Sequence, residues 1–327
     1  MKTEKISWGI IGCGNIANKF ACDITLVEDA ILTAVASRDL DKANVFAAQH
    51  KALNSYGSYT DLFSDPNIDI VYIATPHVFH AELSIQAMAA GKHVLCEKPL
   101  ALNALEAAKM IETSKRTNRF FMEALWTRFN PTIVDIIHKI QEGAIGEIKY
   151  INADFSFMST KPLDGRVMNL EFGGGSLLDI GIYPAFLAYT LLGKPNDILA
   201  KANFHKLTKC DMQTAMIFSY HEAQAVLYSG FESNSDSEAH ISGTEGQIYI
   251  HKRWHEAKGY TLVKNDQRQV FEFPINGIGF TYEIEECHKC LRAGKIESEL
   301  WSHQNCLDLI SILDAVRVQV GLKYPQE

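Results

Sequence analysis

Ser7–Ala17 reads SWGIIGCGNIA. A strand-like apolar run ends on Gly12-Cys13-Gly14, and a helix-compatible stretch opens at once with Asn15 and Ile16. Gly12, Gly14 and Ala17 form the pattern G-x-G-x-x-A at this strand-to-helix junction. Glycine there permits the tight turn and lets the backbone approach a pyrophosphate, which rests on the amides of the helix N-terminus. The small residue at Ala17 lets helix and strand pack closely. Such a junction at the start of a chain predicts the first βαβ unit of a dinucleotide-binding sheet.

The next hundred residues repeat the rhythm. After a first helix from Asn15 to about Val27 come a second strand, ILTAVASR, and the helix DLDKANVFAAQH. SYTDLFSD reads as a short helix, DIVYIAT as a strand, HAELSIQAMAAGK as a helix closed by Gly91, and HVLCE as a strand. NALEAAKMIETSKRT is a further helix and RFFMEAL a further strand. Continuously apolar strands separated by helices imply a parallel sheet covered on both faces. Beyond Phe129 the pattern changes. After a helix that starts at Pro131, alternating stretches dominate, among them EIKYINADFSF, DMQTAMIFSY, AQAVLYSGFES, EAHISGTEGQIYI and YTLVKN. These predict a mostly antiparallel sheet. One helical segment, GGGSLLDIGIYPAFLAYTLLG, interrupts it, and HQNCLDLISILDAVRVQVG closes the chain. The expected class is α/β. An N-terminal Rossmann domain with a doubly wound parallel sheet, residues 1–125, precedes a C-terminal α+β domain, residues 126–327, with a large, mostly antiparallel open sheet. The terminal helix is a candidate to pack back on the first domain.

Composition narrows the function. The chain has 327 residues, 47% of them hydrophobic and 21% charged, with a net charge of −8. That balance suits a globular enzyme and argues against nucleic-acid binding, which calls for a basic face. No apolar stretch is expected to reach the roughly 20 residues of a spanning helix. KISWGIIG begins close to Met1 and leaves no expected room for a signal peptide. Seven scattered cysteines fit reduced thiols in a cytoplasmic protein. The Cys287-His-Lys-Cys290 pair reads as packing, and no metal is expected.

The end of the second strand bears on the choice of dinucleotide. An NAD site usually places an acid there for the ribose 2′-hydroxyl. Here Ser37 and Arg38 stand at that point, a hydroxyl and a guanidinium that suit a 2′-phosphate. Asp39 follows and keeps NAD open, but NADP is favoured.

A second junction is KHVLCEKPLAL, Lys92–Leu102, where the apolar run Val94–Cys96 ends in Glu97-Lys98-Pro99. Pro99 disfavours the helical region for Lys98 and holds it extended at the strand tip. Strand C-terminal ends in such sheets face the ligand. The blocks GIIGCGNIA, ATPHVFHAELSIQAMAAGKHVLCEKPLAL and GGGSLLDIGIYP together resemble the Gfo/Idh/MocA family, relatives of glucose-fructose oxidoreductase and inositol dehydrogenase. MEALWTRFNP and GGGSLLDIGIYP resemble its branch containing dimeric dihydrodiol dehydrogenase and NADP-dependent D-xylose dehydrogenase.

The resemblance implies a catalytic role for Lys98 beside the nicotinamide. It also implies a second-domain aspartate followed four residues later by an acid-base group, here Asp179 and Tyr183. A four-residue spacing shares a helix face. A free phenol is a weak base near neutrality, and a nearby Lys98 charge would favour its ionised form. The loop Thr75-Pro76-His77 should border the cofactor by the switch-point rule. His80 and Glu97 join the cofactor candidates, although His80 can equally order the loop or cap the helix. Trp126 and Arg128 follow the last strand of the first domain and are implied near nicotinamide and substrate, with a structural salt bridge as the alternative for Arg128. Phe155, Phe157, Trp254 and Phe280 are candidate substrate-pocket aromatics, each also plausible as core. The expected function is hydride transfer between NADP and a carbohydrate-like or cyclic polyol or diol substrate. It covers aldose 1-dehydrogenase, keto-sugar reductase and trans-dihydrodiol dehydrogenase chemistry. A non-enzymatic NADP-binding sensor is the alternative class. The expected assembly is a homodimer or dimer of dimers formed through the C-terminal sheet, whose uncovered face would carry Ala215, Ile217, Ala225 and Leu227.

Overall fold

The computed structural model describes residues 5–327. The chain divides into a first unit of Met1–Trp126 with Asn276–Leu307 and a second of Thr127–Ile275 with Asp308–Glu327.

In the first unit, strands and helices alternate as β1 (Ile6–Ile11), α1 (Asn15–Asp23), β2 (Ala30–Ala36), α2 (Leu40–His50), β3 (Asn54–Tyr56), α3 (Tyr59–Ser64), β4 (Ile70–Ile73), α4 (His80–Ala89), β5 (His93–Glu97), α5 (Ala104–Thr117) and β6 (Phe121–Ala124). The six strands are all parallel, in the order β3-β2-β1-β4-β5-β6. The order reverses between β1 and β4, so Gly12 and Thr75 leave the sheet at the switch point, where such sheets hold their ligands. Every residue of β4 and β6 is buried, as strands covered on both faces require. Side chains at the helix starts fix the register. Asp39, Ser58 and Asn103 each accept an amide of the first turn of α2, α3 and α5, satisfying donors the helix leaves orphaned.

Helix α1 ends at Asp23, not near Val27, and Ile24–Leu26 continues as a 3₁₀ turn. Asp23 is buried, and its carboxylate accepts the amides of Ile278, Gly279 and Phe280 at 2.8–3.0 Å. This anchor corrects the expected boundary, because 276–307 returns to the first unit. Within that return, His288 accepts the Trp8 indole N–H at 2.9 Å, and Trp301 donates its own to Glu123 at 2.9 Å. Cys287 and Cys290 are both buried on the helix Thr281–Arg292, and burial pushes both thiols up in pKa.

The second unit starts with α6 (Pro131–Gln141), with Pro131 at its first position and Asn130 as its cap. It continues through β7 (Ile148–Ser156), α7 (Ile182–Leu192), β8 (Asp197–Phe204), β9 (Asp211–Ser219), β10 (Gln224–Gly230), β11 (Ala239–Gly243), β12 (Gln247–Ile250), β13 (Gly259–Lys264) and β14 (Gln267–Glu272). The eight strands form one sheet in the order β14-β13-β12-β11-β7-β10-β9-β8. All pairs are antiparallel except β10 with β7. Alternation along β9 buries Met216 and Phe218 and exposes Ala215 and Ile217. The register pairs Ala225 with Phe218 and Leu227 with Met216. Ala225 and Leu227 therefore lie on the covered face, a correction to the expected apolar patch. The open face instead carries Ala215 and Ile217, with Leu199 and Val270 each 59% exposed.

Leu170–Leu192 is, contrary to the expectation from sequence, long and apolar enough by composition to cross a membrane, but 83% of its most apolar 18-residue window is buried inside the protein. It is also not one regular helix. Leu170–Phe172 is a 3₁₀ turn, three glycines follow, and Leu177–Gly181 is a π turn that leads into α7. Pro184 has no N–H for the carbonyl four residues back, so the wider turn lies directly ahead of the point where an α-helix would lack a hydrogen bond.

Candidate active site

The phosphate end of the first unit is built from backbone. Gly12 has φ +89°, and a Cβ there would lie 2.6 Å from the Ala74 carbonyl oxygen. A Cβ on Gly14 would meet nothing within 4 Å, so the start of α1 opens on free space. Asn15 and Ile16 form its first turn, which holds no acidic residue, and Ala17 is fully buried against the sheet. An anion fits this cradle without repulsion.

At the end of β2, Ser37 is buried and its Oγ accepts the Asp39 amide at 3.2 Å. The Asp39 carboxylate caps α2 through the Lys42 amide at 3.1 Å. Arg38 is exposed and lies over the Phe79 ring, 5.4 Å from its centroid. It borders a cavity of about 390 Å³ lined also by Ser58, Tyr59, Thr60 and Pro76. The cation thus faces a cavity with three hydroxyls, while the neighbouring acid is turned to its own helix.

Lys98 is half-buried at the tip of β5, and the Lys98–Pro99 bond is cis. Three successive backbone positions are tied to side chains. The Lys98 amide meets Glu97 Oε2 at 3.2 Å, the Pro99 carbonyl meets His80 Nδ1 at 2.9 Å, and the Leu100 amide meets Glu123 Oε1 at 2.8 Å. His80 also reaches the Thr75 carbonyl through Nε2 at 2.9 Å, joining the Thr75-Pro76-His77 loop to the lysine loop. Both of its ring nitrogens lie against backbone carbonyls, a place that suits the ordering of both loops. Glu97 is likewise turned inward, where its Oε1 accepts the Tyr72 hydroxyl, and Tyr72 stacks on Phe20 at 3.7 Å. Thr75 and His77 are buried, with Pro76 between them at the cavity edge.

Glu123 escaped the reading of the sequence. Burial raises its carboxyl to about 7, against the Trp301 and Leu100 donors that favour the ionised form. Trp126 lies parallel to Phe280 at 4.9 Å. Phe280 is fully buried, so it backs Trp126 and is no pocket wall of its own.

In the second unit, Asp179 and Tyr183 are both buried, on the π turn and the first turn of α7. Arg166 donates from both terminal nitrogens to Asp179 Oδ1 at 3.1 Å. Two rings meet beside Tyr183. Phe155 stacks on His255 at 4.0 Å, and Tyr183 lies 5.6 Å from Phe155 and 5.4 Å from His255. Phe157 adjoins Phe155 at 6.2 Å and packs on Phe231. Trp254 is fully buried and donates its indole N–H to the Asp154 carbonyl at 2.8 Å. It is a core residue, a correction to its expected place in the pocket. His255, next to it, supplies the ring at Tyr183 instead. Arg128 is half-buried in this same unit.

Residues 6–125 match the model of an oxidoreductase family with an NAD-binding Rossmann fold, and residues 134–249 match the GFO/IDH/MocA C-terminal domain. The chain belongs to the Gfo/Idh/MocA family. It is 35% identical over 332 residues to trans-1,2-dihydrobenzene-1,2-diol dehydrogenase of Xenopus tropicalis, covering 97% of this chain and 99% of that one. It is 31% identical over 366 residues to D-xylose 1-dehydrogenase (NADP(+)) of Hypocrea jecorina, covering 98% and 93%. A 3-ketoreductase from Actinomadura kijaniata, solved with NADP and TDP-benzene, superposes with a TM-score of 0.88 at 25% identity, covering 97% of this chain and 98% of that one. Relatives of this kind are dehydrogenases and reductases, and this Gfo/Idh/MocA protein is an oxidoreductase; the sensor alternative is set aside.

Proposed function

We propose that the protein is an NADP-dependent dehydrogenase acting on a CH–OH group of a carbohydrate-like or cyclic diol substrate. The observation that carries this reading is the setting of Tyr183, a phenol beside two stacked rings on the unit that also carries the Asp179–Arg166 pair. Ring faces suit the C–H surface of a cyclic substrate, and the ion pair suits its hydroxyls. NADP, held at the Gly12–Gly14 turn and beside Arg38, would supply the hydride acceptor for the carbinol carbon. Tyr183 takes the hydroxyl proton, Lys98 supplies the positive charge that favours the ionised oxygen, and Asp179 orients the substrate. In support, the Actinomadura ketoreductase has been solved as a tyrosine-to-phenylalanine and as a lysine-to-alanine variant. A screen of NADP reduction over aldoses, inositols and cyclic diols, with NADPH oxidation by keto-sugars as the reverse arm, tests the reading. Silence in both arms with folded, NADP-binding protein sinks it.

NADP is preferred over NAD because Arg38 faces the hydroxyl-lined cavity while Asp39 caps α2. Arg38→Ala is expected to weaken NADP roughly 10- to 100-fold, the scale of a charge-assisted contact, and to leave NAD nearly unchanged. Titrating both cofactors decides, and equal losses would overturn the assignment.

A homodimer, or a dimer of dimers, formed through the open sheet face is part of the proposal. Leu199, Ile217, Tyr249 and Val270 stand exposed there, an apolar content that a lone surface seldom keeps. Light scattering at micromolar concentration is expected to return at least twice the 36.6 kDa chain mass, and a monomer mass would refute this. The seven cysteines are all free thiols, which suits a cytoplasmic setting.

A further inference from the structure

Resting on the proposed role of Tyr183, we infer that Asp211 is a positioning residue that sets where Asp179 and Tyr183 stand. Asp211 opens β9 and is fully buried. Its Oδ2 accepts three hydrogen bonds: from the Leu177 amide at 2.7 Å, the Ser176 hydroxyl at 2.8 Å and the Thr214 hydroxyl at 3.0 Å. Leu177 is the first residue of the π turn that carries Asp179, and the Ser176 side chain makes no cap bond at that turn. The cap therefore comes from a strand 34 residues away.

The lead-in is shaped for this approach. Gly175 has φ +122°, and a Cβ there would lie 2.0 Å from Asp211 Oδ1. At the far end of the turn, a Cβ on Gly181 would lie 2.9 Å from the hydroxyl oxygen of Ser229, which itself sits 3.1 Å from the Ser176 hydroxyl. Between them, Ile180 packs in a buried cluster with Val167, Met168, Met212 and Phe231, against which Phe155 rests. The turn is held at both ends and along one side. A buried carboxylate is a costly way merely to fill space, since apolar replacements of buried charges are often neutral or stabilising. Three donors on one oxygen instead locate the turn to within a fraction of an ångström. Misplacement of about 1 Å can cost 10²-fold in rate.

The test is a double-variant cycle on the full chain. Asp211→Ala, which removes the accepting oxygen, is expected to lower kcat roughly 10- to 100-fold, with substrate KM changing far less and NADP affinity unchanged. Added to Tyr183→Phe, the same change should cost little more, because the group it positions is already gone. Gly175→Ala meets the same carboxylate from the other side and should repeat the kcat loss, which keeps the inference testable if Asp211→Ala does not fold. Equal losses with and without the tyrosine hydroxyl would show a general structural role and overturn the inference. Normal turnover in both single variants would overturn it alone, leaving the proposed function intact. Near-normal turnover of Tyr183→Phe itself would overturn the proposed role of Tyr183 and this inference with it.

Discussion

Tyr183→Phe is expected to lower turnover by roughly 10²- to 10⁴-fold, the range for a positioned acid-base group, with NADP affinity near that of the unaltered protein. The ring of Tyr183 is buried against Phe155 and His255, and phenylalanine keeps those contacts. Only the hydroxyl is lost, so the change should appear in kcat. On the proposed mechanism, Lys98→Met is expected to act on the same scale and also to shift the basic limb of the pH–rate profile. The backbone at Lys98 is held by Glu97, His80 and Glu123, none of which the substitution touches. A folded Lys98→Met variant with an unshifted profile would deny the lysine its electrostatic role. If Tyr183→Phe turns over normally while Lys98→Met is dead, the proton travels by the lysine or a water it holds.

The second large effect is on stability. Glu123 holds its proton to about pH 7 in the folded protein, against an ordinary value of 4.5. Between these values the native state binds more protons than the unfolded one, so its contribution to stability is full below pH 4.5 and is lost as pH rises through about 7. That difference corresponds to about 3 kcal/mol at most, at 1.36 kcal/mol per unit. Glu123→Gln abolishes the titration but leaves an amide N–H₂ facing a donor, because Leu100 and Trp301 each use one of the carboxyl oxygens. Gln should therefore be weaker throughout, with a flatter slope. Urea midpoints measured for both proteins across pH 4.5 to 7 decide the matter, and parallel curves would show that Glu123 does not titrate there. Glu283 bends the curve of both proteins in the same direction. It is fully buried, neither oxygen has a hydrogen-bond partner, and burial with the nearby charges of Glu97 and Asp23 pushes its carboxyl well above the ordinary range.

What the sequence shows of this protein is what local chemistry dictates. Gly12, Gly14 and Ala17 announce the first βαβ unit because a tight turn, an open approach and a close contact each demand a small residue at a set spacing. Strands such as β4 and β5 are legible as unbroken apolar runs. By contrast β3 has only three half-polar residues, and QRQVFE of β14 is exposed along most of its length. Neither carries a periodic signal. At the site, Lys98, Asp179 and Tyr183 lie in motifs whose spacing can be read. Arg166 and Glu123 do not, because each finds its partner only after folding, 13 residues along for Arg166 with Asp179 and 178 for Glu123 with Trp301. Trp254 shows the converse limit. An aromatic side chain is equally suited to a pocket and to a core, and only the 3₁₀ turn between β12 and β13 and the Asp154 carbonyl place it inside.

The cap that Asp39 gives α2 constrains how this enzyme could be redesigned. An acid at the end of the second strand is what an NAD-preferring site uses for the ribose, and this chain already has one next to Arg38. Recruiting it would uncap the helix at a cost of about 0.5 to 2 kcal/mol, so removing the guanidinium abolishes one preference without creating the other. A working exchange of coenzyme must install the acid at position 37 or 38 and leave Asp39 alone. Coenzyme choice and the folding of α2 are thus coupled through a single carboxylate, and evolutionary routes between the two coenzymes must pass around it.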